Sequence, residues 1–204
     1  VAANAPPGDA RLQTAWLLLR VCGLGRATHL LRTLPPAVTG DFAAALDTAT
    51  LEAVERLARL DALTADQVAQ LRLASRNGGA GLRSHAATRG PAYLGSWLGS
   101  LPEVRVRCPV GTASRAEVLE GDTEWATALR GALAGLAERG LFLDDDGELA
   151  TDPHRPRWGW EDGCPPLPQR QRVLARALDD QDRLALLARL PREHRARLRS
   201  CGGA

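Results

Sequence analysis

The 204-residue chain contains no Lys, no Ile and no Met, and it has only one Tyr and two Phe. The absent residues have A/T-rich codons, so the composition indicates a G+C-rich coding sequence. Because Arg therefore fills every Lys or Arg position, its abundance is not in itself a sign of bidentate phosphate recognition. A chain that starts at Val and contains no Met is expected to be a fragment or a processed product.

Two kinds of segment are also absent. No run of about 18 apolar residues exists, and the N-terminus lacks the charged-then-apolar order of a secretion signal. We therefore expect no membrane partner and an intracellular location. The four Cys residues are widely spaced with no C-x-x-C pair, which argues against a zinc module and a dense disulfide framework and favours free thiols.

Helical patterns cover most of the chain. Asp9 is expected to cap a first helix that is interrupted at Gly23 and Gly25, and residues 26–34 then form a second helix at a tight corner. The broad apolar stretch of the first helix predicts burial on more than one side. Pro35 ends the second helix, because proline lacks a backbone N–H group.

Caps and apolar spacing predict the later helices. One helix opens at Thr39 or Gly40, and three others follow the caps Thr64, Ser84 and Thr123. The dipeptide at positions 90–91, Gly-Pro, is expected to kink or restart the helix that follows Ser84.

The last third of the chain changes character. An acidic turn and a loop rich in Pro and Gly occupy residues 141–167, and helical spacing returns over 168–204, with a break or new cap at Asp179 and Asp180. The sequence thus predicts an all-α, irregular multi-helix array with one short β-hairpin at about 141–149. Its three regions are 1–140, 141–167 and 168–204.

Positive charge is concentrated in two blocks, although the net charge is only +2. Residues 67–102 hold four Arg and no acid, and residues 187–204 hold five Arg and one Glu. Such blocks are typical of contacts with the phosphates of RNA or DNA, and equally of a solvated surface. The candidate nucleic-acid contacts are Arg72, Arg76, Arg83, Arg89, Arg192, Arg195 and Arg199.

The glycine-rich segment Gly78–Ser84, GGAGLRS, has two interpretations. It lacks the G-K-[ST] of a phosphate loop and the third Gly of a dinucleotide fingerprint. It is therefore either a structural turn that leads into a helix cap, or a nest of N–H groups that touches a nucleic-acid phosphate.

No catalytic, metal or cofactor site is evident, and no small-molecule substrate is expected. The acids at 144–148 do not match a calcium loop, and the trio His154, Cys164 and Cys201 is not a convincing zinc site. Trp158 and Trp160 are expected to bury a loop or, alternatively, to stack on bases.

The segment 71–102, LRLASRNGGAGLRSHAATRGPAYLGSWLGSLP, resembles the region that follows the polymerase core in reverse transcriptase-like proteins of non-LTR retrotransposons. The matching residues are Gly78, Gly79, Gly81, Leu82, Arg83, Ser84, Pro91, Ala92, Tyr93, Ser96, Trp97, Leu101 and Pro102. Residues 14–36 are similar to a segment upstream of that turn. Their matching positions are Cys22, Arg26, His29, Leu30, Arg32 and Pro35.

This resemblance implies a non-catalytic accessory region, because the Tyr-x-Asp-Asp turn that such polymerases use to bind metal ions is absent. The implied partners are RNA or DNA and the remainder of the parent polyprotein, with a nuclear location if the parent element is active. The alternative is a free-standing helical scaffold for protein–protein interaction.

Overall fold

The computed structural model describes residues 8–107, 121–139, 141–143, 149–150 and 167–201. Nearly all of these residues are helical, which confirms the all-α class. The helices are α1 (Gly8–Leu17), a π-helical segment (Leu18–Gly23), α2 (Leu24–Thr33), α3 (Gly40–Ala58), α4 (Ala65–Arg72), a 3-10 turn (Ser75–Asn77), α5 (His85–Arg107), α6 (Glu124–Ala137), α7 (Leu167–Arg189) and α8 (Arg192–Cys201). Within the expected hairpin region, β1 (Phe142–Leu143) pairs antiparallel with β2 (Leu149–Ala150).

Two helix starts follow directly from local chemistry. Thr64 and Gln67 form a capping box, in which the Thr64 hydroxyl accepts from the Gln67 N–H at 3.3 Å and the Gln67 side chain accepts from the Thr64 N–H at 2.8 Å. Thr123 likewise accepts from the Ala126 N–H at 3.3 Å. Both predicted caps are confirmed.

The expected interruption takes another form: a π-helical segment that ends at Gly23 separates α1 from α2, and the backbone does not leave the helical conformation at Gly23 or Gly25. Helical dihedral angles continue on both sides of the π-helical segment, at Leu17 (φ −63°, ψ −42°) and at Leu24 (φ −71°, ψ −34°). A glycine inside a helix costs only about 1 kcal/mol, which burial of Leu24 and Ala27 can offset. The expected burial of the apolar stretch is wrong at Leu17, which is 56% exposed.

Two further helices run through positions where breaks were expected. The helix α5 does not restart at Gly90-Pro91, and the side chains of Tyr93 and Leu94, just after that dipeptide, are buried. The helix α7 does not break at Asp179 and Asp180, because distant side chains satisfy both carboxylates.

The chain divides into two compact units. Unit 1 comprises the residues up to His29, Asp41–Ala86 and those from Asp179 onward, and unit 2 comprises Leu30–Gly40 and Ala87–Leu178. These units differ from the regions predicted from sequence, since the segment 168–204 contributes to both.

Each unit has its own apolar core. Unit 2 contains one cluster of buried residues: Tyr93, Leu94, Leu98, Leu129, Ala132, Leu136, Leu141, Leu174 and Leu178. Unit 1 contains two smaller clusters: Leu73, Leu186, Leu190 and Leu198, and separately Leu24, Val54 and Leu82. Within the described ranges, no helix has the length and apolar character needed to span a membrane.

Candidate nucleic-acid interface at the glycine turn

The glycine turn that follows α4 is closed by its own backbone. Gly78 and Gly81 adopt left-handed φ angles of 79° and 75°, which are unfavourable for residues that have a Cβ atom. The N–H of Gly79 donates to the Ala74 carbonyl at 3.2 Å, and the N–H of Gly81 donates to the Leu73 carbonyl at 2.8 Å. These N–H groups are already bonded and are not turned outward as an anion nest would require. The structural interpretation of the turn is therefore the correct one.

Close packing explains the glycines. A Cβ on Gly79 would lie 2.2 Å from the Leu73 carbonyl oxygen, so no side chain fits there. A Cβ on Gly78 would lie 2.9 Å from the Leu198 Cδ1 atom. The turn thus packs against α8, and this contact places the segment that carries Arg76 and Arg83 next to that helix in unit 1.

The end of the turn leads into α5, whose N-terminus is capped by a carboxylate from another helix. Asp47 of α3 accepts hydrogen bonds from the backbone N–H groups of His85 at 2.7 Å and Ala86 at 3.3 Å, and also from the Ser84 hydroxyl. The helix dipole favours a negative charge at this position. Burial raises the pKa of Asp47, but the hydrogen bonds from His85, Ser84 and Ala86 outweigh that effect and hold the pKa below its usual value.

Ser84, His85 and Asp47 are all buried, but their arrangement is not that of a nucleophilic triad. The Nδ1 atom of His85 lies 3.3 Å from Asp47. Its Nε2 atom, which would face the nucleophile in a triad, lies instead 3.2 Å from the Leu24 carbonyl oxygen. Ser84 donates to Asp47 directly. A triad requires the imidazole between the hydroxyl and the carboxylate, so this geometry serves helix capping.

Two of the candidate arginines share one acceptor atom. The Nη2 atom of Arg76 lies 3.1 Å from the Oδ2 atom of Asp179, and Arg83 donates to the same oxygen through its own Nη2. Beside them, the Asn77 side chain donates to Asp180 at 3.1 Å. Burial raises the pKa of Asp179 above its usual value, and the charges and hydrogen bonds of Arg83 and Arg76 only partly oppose that rise.

These arginines remain accessible although their partners are not. The side chains of Arg76 and Arg83 are 42% and 38% exposed, whereas that of Asp179 is 8% exposed. Arg72 repeats the pattern, because it is 37% exposed and lies 3.7 Å from Asp47, which is 10% exposed. The acids lie underneath and the guanidinium groups face outward, with part of their positive charge neutralised.

The other predicted contacts lie elsewhere. Arg89 belongs to unit 2, where its guanidinium lies against Gly40. The remaining three are on α8 in unit 1: Arg192 and Arg199 are exposed, and Arg195 is half-buried. Within the described residues, the Nε atom of Arg195 is buried without a hydrogen-bond partner.

In the portion of the chain that the structure covers, no three His, Cys, Asp or Glu side chains are grouped as a metal site would require. Cys22 and Cys201 are free and exposed, as expected of thiols. The acids at 144–148, the residues His154 and Cys164, and the pair Trp158 and Trp160 lie outside the described residues.

Sequence reasoning missed the two acids that organise this region, although each had a signal. Asp47 lies on the buried stripe of α3, four residues after Ala43 and seven before Val54. Asp179 lies seven residues before the buried Leu186, so the helix α7 places Asp179 on the same face as Leu186. An acid on an apolar helical stripe indicates a buried carboxylate that needs partners.

Comparisons of the chain with protein-family models, with curated proteins and with solved structures found no match.

Proposed function

We propose that the chain is a non-catalytic, helical accessory region of a reverse transcriptase-like protein from a non-LTR retrotransposon. Its basic surface in unit 1 would contact the sugar–phosphate backbone of RNA or DNA. The resemblance of residues 14–36 and 71–102 supports the assignment to this class of protein. The observation that carries the binding proposal is the pairing of Arg76 and Arg83 on one buried carboxylate.

The chemistry of that pair suits a phosphate backbone. A guanidinium group has five N–H donors in a planar fork, and the hydrogen bonds described for Arg76 and Arg83 use one donor each. Both side chains are more than a third exposed, so further donors can face a ligand. Arginine binds phosphate oxygens through such donors in many nucleic-acid complexes.

The distribution of charge supports the same surface. Unit 1 contains 14 Arg against 11 acids, whereas unit 2 contains 12 Arg against 13 acids. The glycine turn packs against Leu198 of α8, so the turn arginines and those of α8 belong to one positive unit. A polyanion is attracted to such a region, and that attraction weakens as salt screens it.

The double substitution Arg76→Gln with Arg83→Gln tests the binding proposal. We expect at least a tenfold loss of affinity for short RNA or DNA at about 50 mM salt. The slope of log affinity against log salt should fall by about two, since two phosphate contacts are removed. Fluorescence anisotropy with single-stranded and duplex RNA and DNA would measure both quantities and show which nucleic acid is preferred.

Arg56→Gln is the matched control. Arg56 lies in unit 1 on α3, is 75% exposed and pairs only weakly with Glu52 at 3.4 Å, so its loss removes one positive charge from the same unit and leaves the contacts of Arg76 and Arg83 with Asp179 in place. Its affinity should stay within about twofold of the original protein. No salt-dependent binding by the unaltered chain, or equal losses in the control and the double variant, would refute the proposal.

A second candidate function is a free-standing scaffold for protein–protein interaction. It is favoured by the exposure of three large apolar side chains at the end of α1 and in the π-helical segment: Leu17 (56%), Leu18 (56%) and Val21 (65%). An open cavity of about 440 Å³ also lies in unit 1, lined mainly by apolar residues that include Trp16 and Leu63, with Gln67 and Gln70 beside them.

The flanking gene separates the two candidates. An upstream reading frame that encodes a Tyr-x-Asp-Asp motif supports the retrotransposon assignment. A start codon directly before Val1 and no polymerase gene nearby supports the scaffold.

A further inference from the structure

Asp179 is a buried carboxylate in an environment that disfavours its ionised form. Its side chain is 8% exposed in the middle of α7, on the same helical face as Leu186. Burial raises the pKa of this carboxyl despite the two arginines, which means that the folded protein holds the ionised form at a cost. An apolar residue at such a position would often be at least as stable.

What the carboxylate does is bring two positive groups together. Arg76 and Arg83 both donate to its Oδ2 atom, although they are 103 and 96 residues away in sequence. Two guanidinium groups at such close range repel each other when nothing negative lies between them. Since both side chains are more than a third exposed, loss of the carboxylate would leave them free to separate into solvent.

We propose that Asp179 is the positioning residue of the nucleic-acid surface: its buried carboxylate holds the guanidinium groups of Arg76 and Arg83 side by side, facing one stretch of phosphate backbone. The inference rests on the proposed function and adds a mechanism to it. The arginines bind with less loss of side-chain freedom because the protein has already fixed them. The ligand class is a polyanion with closely spaced phosphates, such as single-stranded or duplex RNA or DNA.

The variant Asp179→Asn tests the proposal, because positioning and simple electrostatics predict opposite changes in affinity for nucleic acid. Removal of a negative charge near a polyanion site should raise affinity through the electrostatic field alone. If Asp179 positions the arginines, affinity should instead fall about tenfold, because two long side chains must then be immobilised on binding. Asparagine has nearly the same shape, and water can solvate the half-exposed arginines, so we expect the variant to fold.

Asp180→Asn is the control at the neighbouring position. Asp180 is 62% exposed, accepts from Asn77 and lies 4.0 Å from the Nη2 atom of Arg76, a longer contact than that of Asp179, and asparagine keeps an oxygen that can accept the bond from Asn77. This variant makes the same change in charge without removing the shared acceptor. Its affinity should be unchanged or rise by up to about twofold.

A double-mutant cycle separates positioning from a general structural role. In a background that carries Arg76→Gln and Arg83→Gln, the substitution Asp179→Asn has no arginine pair to disturb, so it should leave affinity unchanged or raise it slightly. A purely structural role would lower affinity in both backgrounds. Side-chain NMR provides a readout without ligand. The guanidinium groups of Arg76 and Arg83 should become more mobile in Asp179→Asn than in the original protein.

The outcomes are distinct. A fall in affinity for Asp179→Asn in the original background only, with increased arginine mobility, supports the inference. A rise or no change, while the arginine double variant still binds weakly, overturns the inference and leaves the proposed function intact. Equal falls in both backgrounds, or unchanged NMR signals, also overturn it. Absence of nucleic-acid binding by the unaltered chain refutes the proposed function and this inference together.

Discussion

The two units differ in what they bury. Seven polar or charged residues are buried in the described parts of the chain, and six of them lie in unit 1: Asp47, Thr50, Asn77, Ser84, His85 and Asp179. Unit 2 instead buries nine residues in one apolar cluster. Against that cluster Trp97 stacks on Trp125, with ring centroids 5.2 Å apart and an interplanar angle of 19°.

The two units should therefore respond differently to substitution. The apolar cluster of unit 2 gains from contact area, which tolerates substitutions that preserve volume. The buried polar groups of unit 1 need particular partners at particular positions, because leaving a buried donor or carboxylate unpaired costs more than the hydrogen bond itself contributes. Unit 1 should therefore be the part of the protein that responds to single charge changes and to pH.

The largest expected effect of a charge change is that of Asp47→Ala. The substitution leaves the buried N–H groups of His85 and Ala86 without their acceptor and removes a negative charge from the N-terminus of α5. We expect a loss of about 3 kcal/mol in the free energy of unfolding, measured by urea denaturation.

Glu52→Ala is its control, since Glu52 is an exposed acid on the same helix, and should cost less than about 0.5 kcal/mol. Equal effects of the two substitutions would show that unit 1 does not depend on its buried carboxylate.

A pair of glycine substitutions should act in opposite directions in the two units. Gly79→Ala in unit 1 forces a Cβ against the Leu73 carbonyl oxygen and should cost about 2 kcal/mol or more. Gly131→Ala lies in α6 of unit 2, where a Cβ would meet nothing within 4 Å, and should stabilise by about 0.5 to 1 kcal/mol. Thermal unfolding measures both, and a shift of the same sign in each would contradict the geometry of the turn.

The pH dependence of stability should show two opposite contributions from unit 1. The pKa of Asp47 is lowered by folding, so its contribution is present above the unfolded pKa of about 3.9 and is lost as the pH falls through the folded pKa. The pKa of Asp179 is raised, so stability increases as the pH falls from that raised pKa towards about 3.9.

Denaturation at several pH values checks both signs. The unaltered protein should be more stable than Asp47→Asn at neutral pH, and this difference in the free energy of unfolding should disappear below about pH 4. Relative to Asp179→Asn, it should gain stability on acidification above that pH. Parallel pH profiles for all three proteins would contradict this account. These effects are the smallest of those expected in unit 1.

Local chemistry made much of the fold predictable. The caps Thr64 and Thr123 bond to groups three residues away, so their helices begin where the sequence predicts. The α6 stripe of Ala126, Leu129, Ala132 and Leu136 also follows the predicted helical spacing. The four arginines near the glycine turn have no acid nearby in sequence, but three of them have acidic partners in space.

The sequence by itself determined the helical class and the helix starts capped by Thr64 and Thr123, because those features depend on neighbours within a few residues. Tertiary structure alone decided that Asp47 caps α5, that Asp179 joins Arg76 to Arg83, and that α7 runs unbroken through Asp179 and Asp180. A carboxylate can be held only by donors that reach it, and here those donors lie between 37 and 103 residues away along the chain.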